Sequence, residues 1–139
     1  MITIRKAELH DEKFWFRLDE HIPKSEFERN VRNGTAYVLT DNARCVGLLR
    51  YNLFWDEIPF CNLLCIEPKE QHKGYGTRLL QYWEKEMKSD GYGVLLTSAQ
   101  SDESSQNFYR KNGFTDCGCL FLGIERFTRT AELFFMKKI

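Results

Sequence analysis

Seven consecutive residues, Gln71-His72-Lys73-Gly74-Tyr75-Gly76-Thr77, lie between an apolar run that ends at Ile66 and an amphipathic run that starts at Tyr75. The grammar is a strand (Ile58 to Ile66), Pro68, a polar loop with two glycines, and a helix (Tyr75 to Ser89) whose first-turn N–H groups find no acceptor inside the helix. Glycines at 74 and 76 let backbone approach a bulky anion, and the helix macrodipole adds about half a positive charge at that end, so phosphate is the natural ligand. The alternative is a loop that only turns a strand into a helix and leaves its donors to water.

Two familiar phosphate signatures do not fit. A dinucleotide fingerprint needs glycines directly after the strand and a third one three beyond the second; that position is Leu79, and Ile66 ends well before Gly74. A G-x-x-x-x-G-K-[ST] loop needs lysine after its second glycine, where this chain has Thr77. What remains, Gln-x-x-Gly-x-Gly after Leu64-Cys65-Ile66-Glu67-Pro68, resembles the acyl-CoA-binding motif of the GNAT superfamily of N-acetyltransferases, with glutamine where the family more often has arginine. A second stretch, Asn107-Phe108-Tyr109-Arg110-Lys111-Asn112-Gly113-Phe114, resembles the family's later helix and following strand, F-Y-x-K-x-G-F. The ordered pair, with a strand (Val94 to Thr97) between, covers residues 58 to 122.

The resemblance implies an α/β (α+β) GNAT fold with a central mixed, mostly antiparallel sheet of about six to seven strands flanked by about four helices, residues 1–139 forming one acetyltransferase domain. It implies acetyl-CoA as cosubstrate and a primary amine, on a small molecule or at a protein N-terminus or lysine, as acceptor. Its cofactor contacts fall on Leu64, Cys65, Ile66, Gln71, His72, Lys73, Gly74, Tyr75, Gly76 and Thr77, with Asp102 and Asn107 beside the pantetheine arm. Asp102 stands where the family commonly has asparagine, and a carboxylate accepts an amide N–H but does not donate unless protonated.

The chemistry follows from what acetyl transfer requires. A free amine attacks a thioester carbonyl, an oxyanion forms, and a thiolate leaves. By resemblance, backbone N–H groups around Leu64 to Ile66 meet the oxyanion, and Tyr109 is the general acid that returns a proton to the sulfur. An α-amine titrates at about 7.7–8.0 and needs little help; a lysine amine, at about 10.4, needs a base. Glu57, with Asp56, is the candidate, in a loop (Asn52 to Glu57) that combines two adjacent aromatics with two adjacent acids. The alternative for either acid is a solvated turn. His72 belongs to the phosphate loop. Cys65 raises a covalent acetyl-cysteine step, but its aliphatic neighbours would raise the thiol pKa, so direct transfer is preferred. A catalytically silent CoA-binding module and a nucleotide-phosphate binder of another fold are the competing readings.

The remaining elements must position these groups. Thr3 to Ala7 reads as a strand, and Asp11 to Leu18 as a short helix whose pattern Pro23 breaks. Ser25-Glu26-Phe27-Glu28 is a capping box that predicts a second helix, ended by Asn33-Gly34. In the implied fold these helices roof the acceptor side, so Phe14, Trp15, Phe16 and Phe27 are either substrate contacts or core. Tyr37 to Thr40 and Cys45 to Tyr51 are strands joined by the turn Asp41 to Arg44. The helix after the glycine loop carries Leu79, Leu80, Trp83 and Met87 on one stripe. Ser101 to Lys111 is helical and stopped by Asn112-Gly113, with Phe108 packing inward and Tyr109 about a hundred degrees round the helix. Two last strands, Phe114 to Leu122 and Ala131 to Met136, are joined by Gly123 to Thr130.

Composition agrees with a small enzyme. At 139 residues the chain has room for one core, and 20 basic against 20 acidic residues leave no field to hold nucleic acid or an anionic membrane. No apolar run approaches the roughly 20 residues of a membrane helix, and the N-terminus lacks a signal peptide's apolar region, so the cytoplasm is the expected compartment. Cys45, Cys61, Cys65, Cys117 and Cys119 form no C-x-x-C pair and are odd in number. Cys61 and Cys65 are expected to share a strand face, as are Cys117 and Cys119; among Leu63, Leu64, Leu120 and Phe121 they read as small hydrophobes rather than a four-thiolate zinc site, and no metal is expected. Phe54 and Trp55 need a packing partner or a ligand, and would suit a homodimer face as well as a cleft.

Overall fold

In a computed structural model the chain is described over residues 1–126 and 130–139. The strands are β1 (Ile2–Lys6), β2 (Ala36–Asp41), β3 (Arg44–Phe54), β4 (Ile58–Ile66), β5 (Val94–Gln100), β6 (Thr115–Leu120) and β7 (Glu132–Lys138); the helices are α1 (Glu12–Leu18), α2 (Lys24–Asn33), α3 (Tyr75–Ser89) and α4 (Ser105–Lys111). The seven strands form one sheet in the order β1-β2-β3-β4-β5-β7-β6. The β4–β5 pairing is parallel, and β1–β2, β2–β3, β5–β7 and β6–β7 are antiparallel. This is the mixed α/β architecture expected. The chain divides into two compact units, residues 1–52 with 62–86, and residues 53–61 with 87–139.

In the first unit the sheet is covered on both faces, which is why β2 shows no alternation: Ala36 to Thr40 are all buried. Ala36, Val38 and Leu48 pack with Trp15, Ile22 and Phe27 from the α1–α2 side. Tyr37 faces α3, its ring 5.7 Å from Tyr82, and Tyr51 lies 5.7 Å from Trp83. The apolar stripe of α3 is as expected, with Leu79, Leu80, Trp83 and Met87 at most 1% exposed. Trp15 and Phe27 are core, 5.5 Å apart, while Phe14 and Phe16 pack partly against them. Two buried acids join that core: Asp11 takes both Arg5 guanidinium nitrogens at 2.8 Å, and Asp19 accepts from Trp15 Nε1 and Arg50 Nε.

One helix start differs. The Ser25 capping box does not form; α2 begins at Lys24, and the Pro23 carbonyl accepts from Glu26 and Phe27 N–H. Proline fixes φ for a helix entry, and here its carbonyl starts the ladder two residues earlier than that of Ser25 would. Gly34, at φ 68°, ends α2 as expected.

In the second unit α4 packs on one face of β5 and β7. The opposite face carries Phe60, Leu96, Phe134 and Met136, all half-buried. The expected loop between β3 and β4 shrinks to a tight hairpin turn, because β3 runs on to Phe54. Helix α4 starts at Ser105 rather than Ser101, after a turn in which Glu103 N–H donates to the Gln100 carbonyl. Strand β6 is exposed along its length, so Cys117 and Cys119 are exposed rather than packed as small hydrophobes. A bulge between Asp116 and Gly118 also breaks their alternation: Asp116 lies opposite Phe135 and Cys119 opposite Leu133, with Gly118 opposite Phe134. In the connection Gly123 to Thr130, residues 127–129 lie outside the described residues. No helix among the described residues is long and apolar enough to cross a membrane, and none of their His, Cys, Asp and Glu side chains gather in threes that could hold a metal ion.

Candidate active site

The glycine loop belongs to the first unit and is built as its residue types require. Strand β4 ends at Ile66, and Gln71 returns to tie that end, its Nε2 donating to the Ile66 carbonyl at 3.2 Å. His72 adopts φ 64° and Gly74 φ 83°. A left-handed conformation is costly for a side chain at His72 and free at Gly74, where a Cβ would meet nothing within 4 Å. The chain thereby reverses sharply before α3. The Gly74 carbonyl accepts from Arg78 N–H, which makes Tyr75, Gly76 and Thr77 the first helical turn. No acid stands in that turn. An anion there meets backbone donors and the positive end of a fifteen-residue helix without a competing carboxylate.

Ion pairs brace the loop from below. Glu70, 8% exposed, receives Arg44 Nη2 at 2.6 Å and Lys73 Nζ at 2.8 Å. Those two cations hold its carboxyl below the usual carboxylate range, Lys73 first and Arg44 next. Glu67 receives Arg17 at 2.9 Å and Arg44 at 3.6 Å. The Tyr75 hydroxyl donates to Asp41 Oδ2 at 2.8 Å. Lys73, expected at the anion, is thus engaged by Glu70. The reading from sequence missed Asp41, Arg44 and Glu70; only the Glu70–Lys73 spacing signalled any of this, since residues three apart are neighbours on a helical turn. Leu64 and Cys65 are half-buried on β4, and burial pushes the Cys65 thiol up, against its service as a nucleophile.

Tyr109 lies in the second unit, and its burial reverses the expectation for α4. Tyr109 is 6% exposed and Phe108 only half-buried. The reason is the set of rings that receive it: Tyr109 packs edge-on to Phe114 at 5.7 Å and against Phe135 at 6.0 Å, both of them buried. Its hydroxyl meets the side chains of Thr97 and Cys61, where β4 pairs with β5, and Thr97 Oγ1 in turn donates to the Cys61 carbonyl at 3.1 Å. Burial pushes the phenol strongly upward, so it is protonated at neutral pH. The face of α4 is fixed at its edge by Arg110, which donates to both Asp116 carboxylate oxygens at 2.9 Å.

The other expected site residues of this unit stand apart from the phenol's packing. Asp102 is exposed and accepts from Thr130 Oγ1 at 3.4 Å; Asn107 is exposed on α4. Asp56 and Glu57 are exposed on the β3–β4 turn, with Glu57 N–H donating to the Phe54 carbonyl at 3.1 Å.

Comparison with solved structures returns this fold repeatedly. N-acetylglutamate synthase from Neisseria gonorrhoeae, complexed with coenzyme A and N-acetyl-glutamate, matches with a TM-score of 0.83 and 16% identity over 99% of this chain, which spans 35% of that longer one. A GNAT family acetyltransferase from Elizabethkingia anophelis with acetyl-CoA bound matches at 0.81 and 16% identity, over 99% of this chain and 98% of that one. The ribosomal-protein-S18-alanine N-acetyltransferase from Escherichia coli matches at 0.80 and 18% identity, over 100% of this chain and 94% of that one. No curated protein matches in sequence. The model of the acetyltransferase (GNAT) family matches residues 4–114, and with the glycine loop at the start of α3 and the fold described, the chain belongs to that family.

Proposed function

We propose that residues 1–139 act as a single N-acetyltransferase domain that moves the acetyl group of acetyl-CoA to a primary amine by direct attack in a ternary complex. The observation that carries this reading is the start of α3: an acid-free first turn, entered through Gly74 in a left-handed conformation and tied to the end of β4 by Gln71. Such a turn suits a diphosphate. Gln71 to Thr77 bind it through backbone N–H groups, with His72 and Lys73 at the rim, and Asp102 and Asn107 meet the pantetheine arm.

Residues of this chain then have separate tasks. Backbone N–H groups of Leu64 to Ile66 stabilise the oxyanion; donors of this kind typically contribute about 3–4 kcal/mol. Tyr109 donates its proton to the departing thiolate, and burial holds the phenol in its protonated form at neutral pH. Glu57, aided by Asp56, takes the proton of the amine.

A second reading, a silent acyl-CoA-binding module, is favoured by one observation: the Tyr109 hydroxyl already meets Thr97 and Cys61. Two measurements separate the readings. Acetyl-CoA raises the melting temperature under both, and its failure to do so sinks both. Release of free CoA thiol across a panel of primary amines occurs only under the first.

A further inference from the structure

The second unit carries an aromatic row that the chemistry above does not use. Trp55 lies 4.6 Å from Phe54, Phe54 is 6.3 Å from Phe60, and Phe60 is 6.0 Å from Phe134, centroid to centroid. The row starts on the β3–β4 turn and crosses the sheet on the face away from α4. Its outer end is open, with Trp55 74% and Phe54 37% exposed; Phe60 and Phe134 are half-buried, and Gly118, opposite Phe134, has nothing within 4 Å of where a Cβ would stand. Open rings in sequence form a surface for an apolar body.

The charge at the end of the row selects the ligand. Residues 53–61 contain Asp56 and Glu57 and no Lys, Arg or His. Neither carboxylate has a side-chain hydrogen bond or ion pair among the described residues. The π-faces of Trp and Phe attract a cation as well, so rings and acids favour the same sign. We propose that this row binds a small primary ammonium compound with an extended alkyl or aryl-alkyl body, the body lying along the rings and the cation held by Asp56 and Glu57. This rests on the acetyltransferase reading in one respect only, that the bound amine is then the acceptor.

The three tryptophans supply the test. Trp15 and Trp83 are fully buried, so a change in fluorescence on ligand binding reports Trp55. The full chain is titrated with straight-chain primary amines from butyl to octyl and with the matching alcohols. The expected result is a blue shift whose midpoint falls about fourfold per added methylene, the factor equivalent to roughly 0.8 kcal/mol per buried CH₂. The alcohols should bind more weakly, and Asp56→Asn with Glu57→Gln should bring the amines to the level of the alcohols while leaving the melt cooperative. Phe54→Ala should flatten the chain-length dependence, and Trp55→Phe should abolish the signal.

Midpoints that do not depend on chain length, or alcohols that bind as tightly as amines, overturn the proposal. A blue shift that grows with protein concentration in the absence of amine also overturns it, because a second copy then occupies the row. With acetyl-CoA added, thiol release that follows the same chain-length order makes the bound amine the acceptor. Thiol release from hydrophilic amines with no response from Trp55 sinks this site and leaves acetyl transfer standing. A Trp55 response with no thiol release from any amine does the reverse.

Discussion

The glycine loop and the Tyr109 hydroxyl are held by opposite means. The loop is exposed, and charges hold it: Arg44 and Lys73 on Glu70, Arg17 and Arg44 on Glu67, Tyr75 on Asp41. The phenol is buried, and rings hold it: Phe114 and Phe135 around Tyr109, with Thr97 and Cys61 at its hydroxyl. Charges near water weaken with salt and with acid, whereas packed rings respond to neither. Binding of the cosubstrate should therefore vary with solution conditions, and the proton-donating step should not.

The sharpest way to break that contrast is Tyr109→Phe. It keeps the ring packing and removes one oxygen, so turnover is expected to fall by about 10²–10⁴, the range of general acid catalysis, with the melting temperature nearly unchanged. Steady-state kinetics with a thermal melt checks both, and a mainly raised KM for acetyl-CoA would mean that the phenol only positions the cofactor.

On the other side, Arg44→Met removes a cation shared by Glu67 and Glu70. A severalfold rise in KM for acetyl-CoA is expected at unchanged kcat, and raising salt should shrink the difference from the unaltered protein. A loss in kcat of the same size would erase the division of labour.

Acid should loosen the loop as well. The folded-state pKa of Glu70 lies below the ordinary value of 4.5, through Lys73 first and then Arg44. Because it is depressed, its contribution to stability is full above the ordinary value and is lost as pH falls through the lowered one. Melting temperatures of the protein and of Glu70→Gln should therefore differ most near neutrality and converge only once pH has fallen through the lowered folded-state pKa. A gap that is constant with pH would show that the carboxylate acts by shape alone.

The smallest effect concerns the second unit's turn. Trp55 and Asp56 have φ of 55° and 62°, a pair of left-handed residues that hairpins usually give to Asn-Gly. Replacing them by Asn and Gly should relieve about 1–2 kcal/mol of backbone strain at most and raise the melting temperature by a few degrees. The same change should weaken amine binding. A lower melting temperature would mean that Trp55 packs more than its exposure suggests.

The sequence was most readable where local pattern and tertiary demand agree. Helix α3 spans Tyr75 to Ser89 as its stripe predicts, because four apolar residues at helical spacing have a sheet to cover. The Gly34 stop and the Asp41–Arg44 turn were legible for the same reason, each a backbone need met by local residues. Legibility failed where distant residues decide. Tyr109 is buried in place of Phe108 because Phe114 and Phe135 receive it, and helical spacing alone does not say which of two adjacent rings faces a sheet. Arg44 reaches Glu70 across 26 positions, a pairing with no local sign. The thiols of β6 were misjudged because aliphatic neighbours in sequence do not bury a residue on a sheet edge.

That edge has a practical side. Cys117 and Cys119 stand uncovered on the last strand of the sheet, next to backbone groups that no further strand among the described residues takes up. Exposed thiols oxidise readily, and an open edge accepts another chain. Material stored in air should therefore accumulate cross-linked pairs that dithiothreitol dissolves, and serine at both positions should give a stock whose mass on a non-reducing gel stays single for weeks.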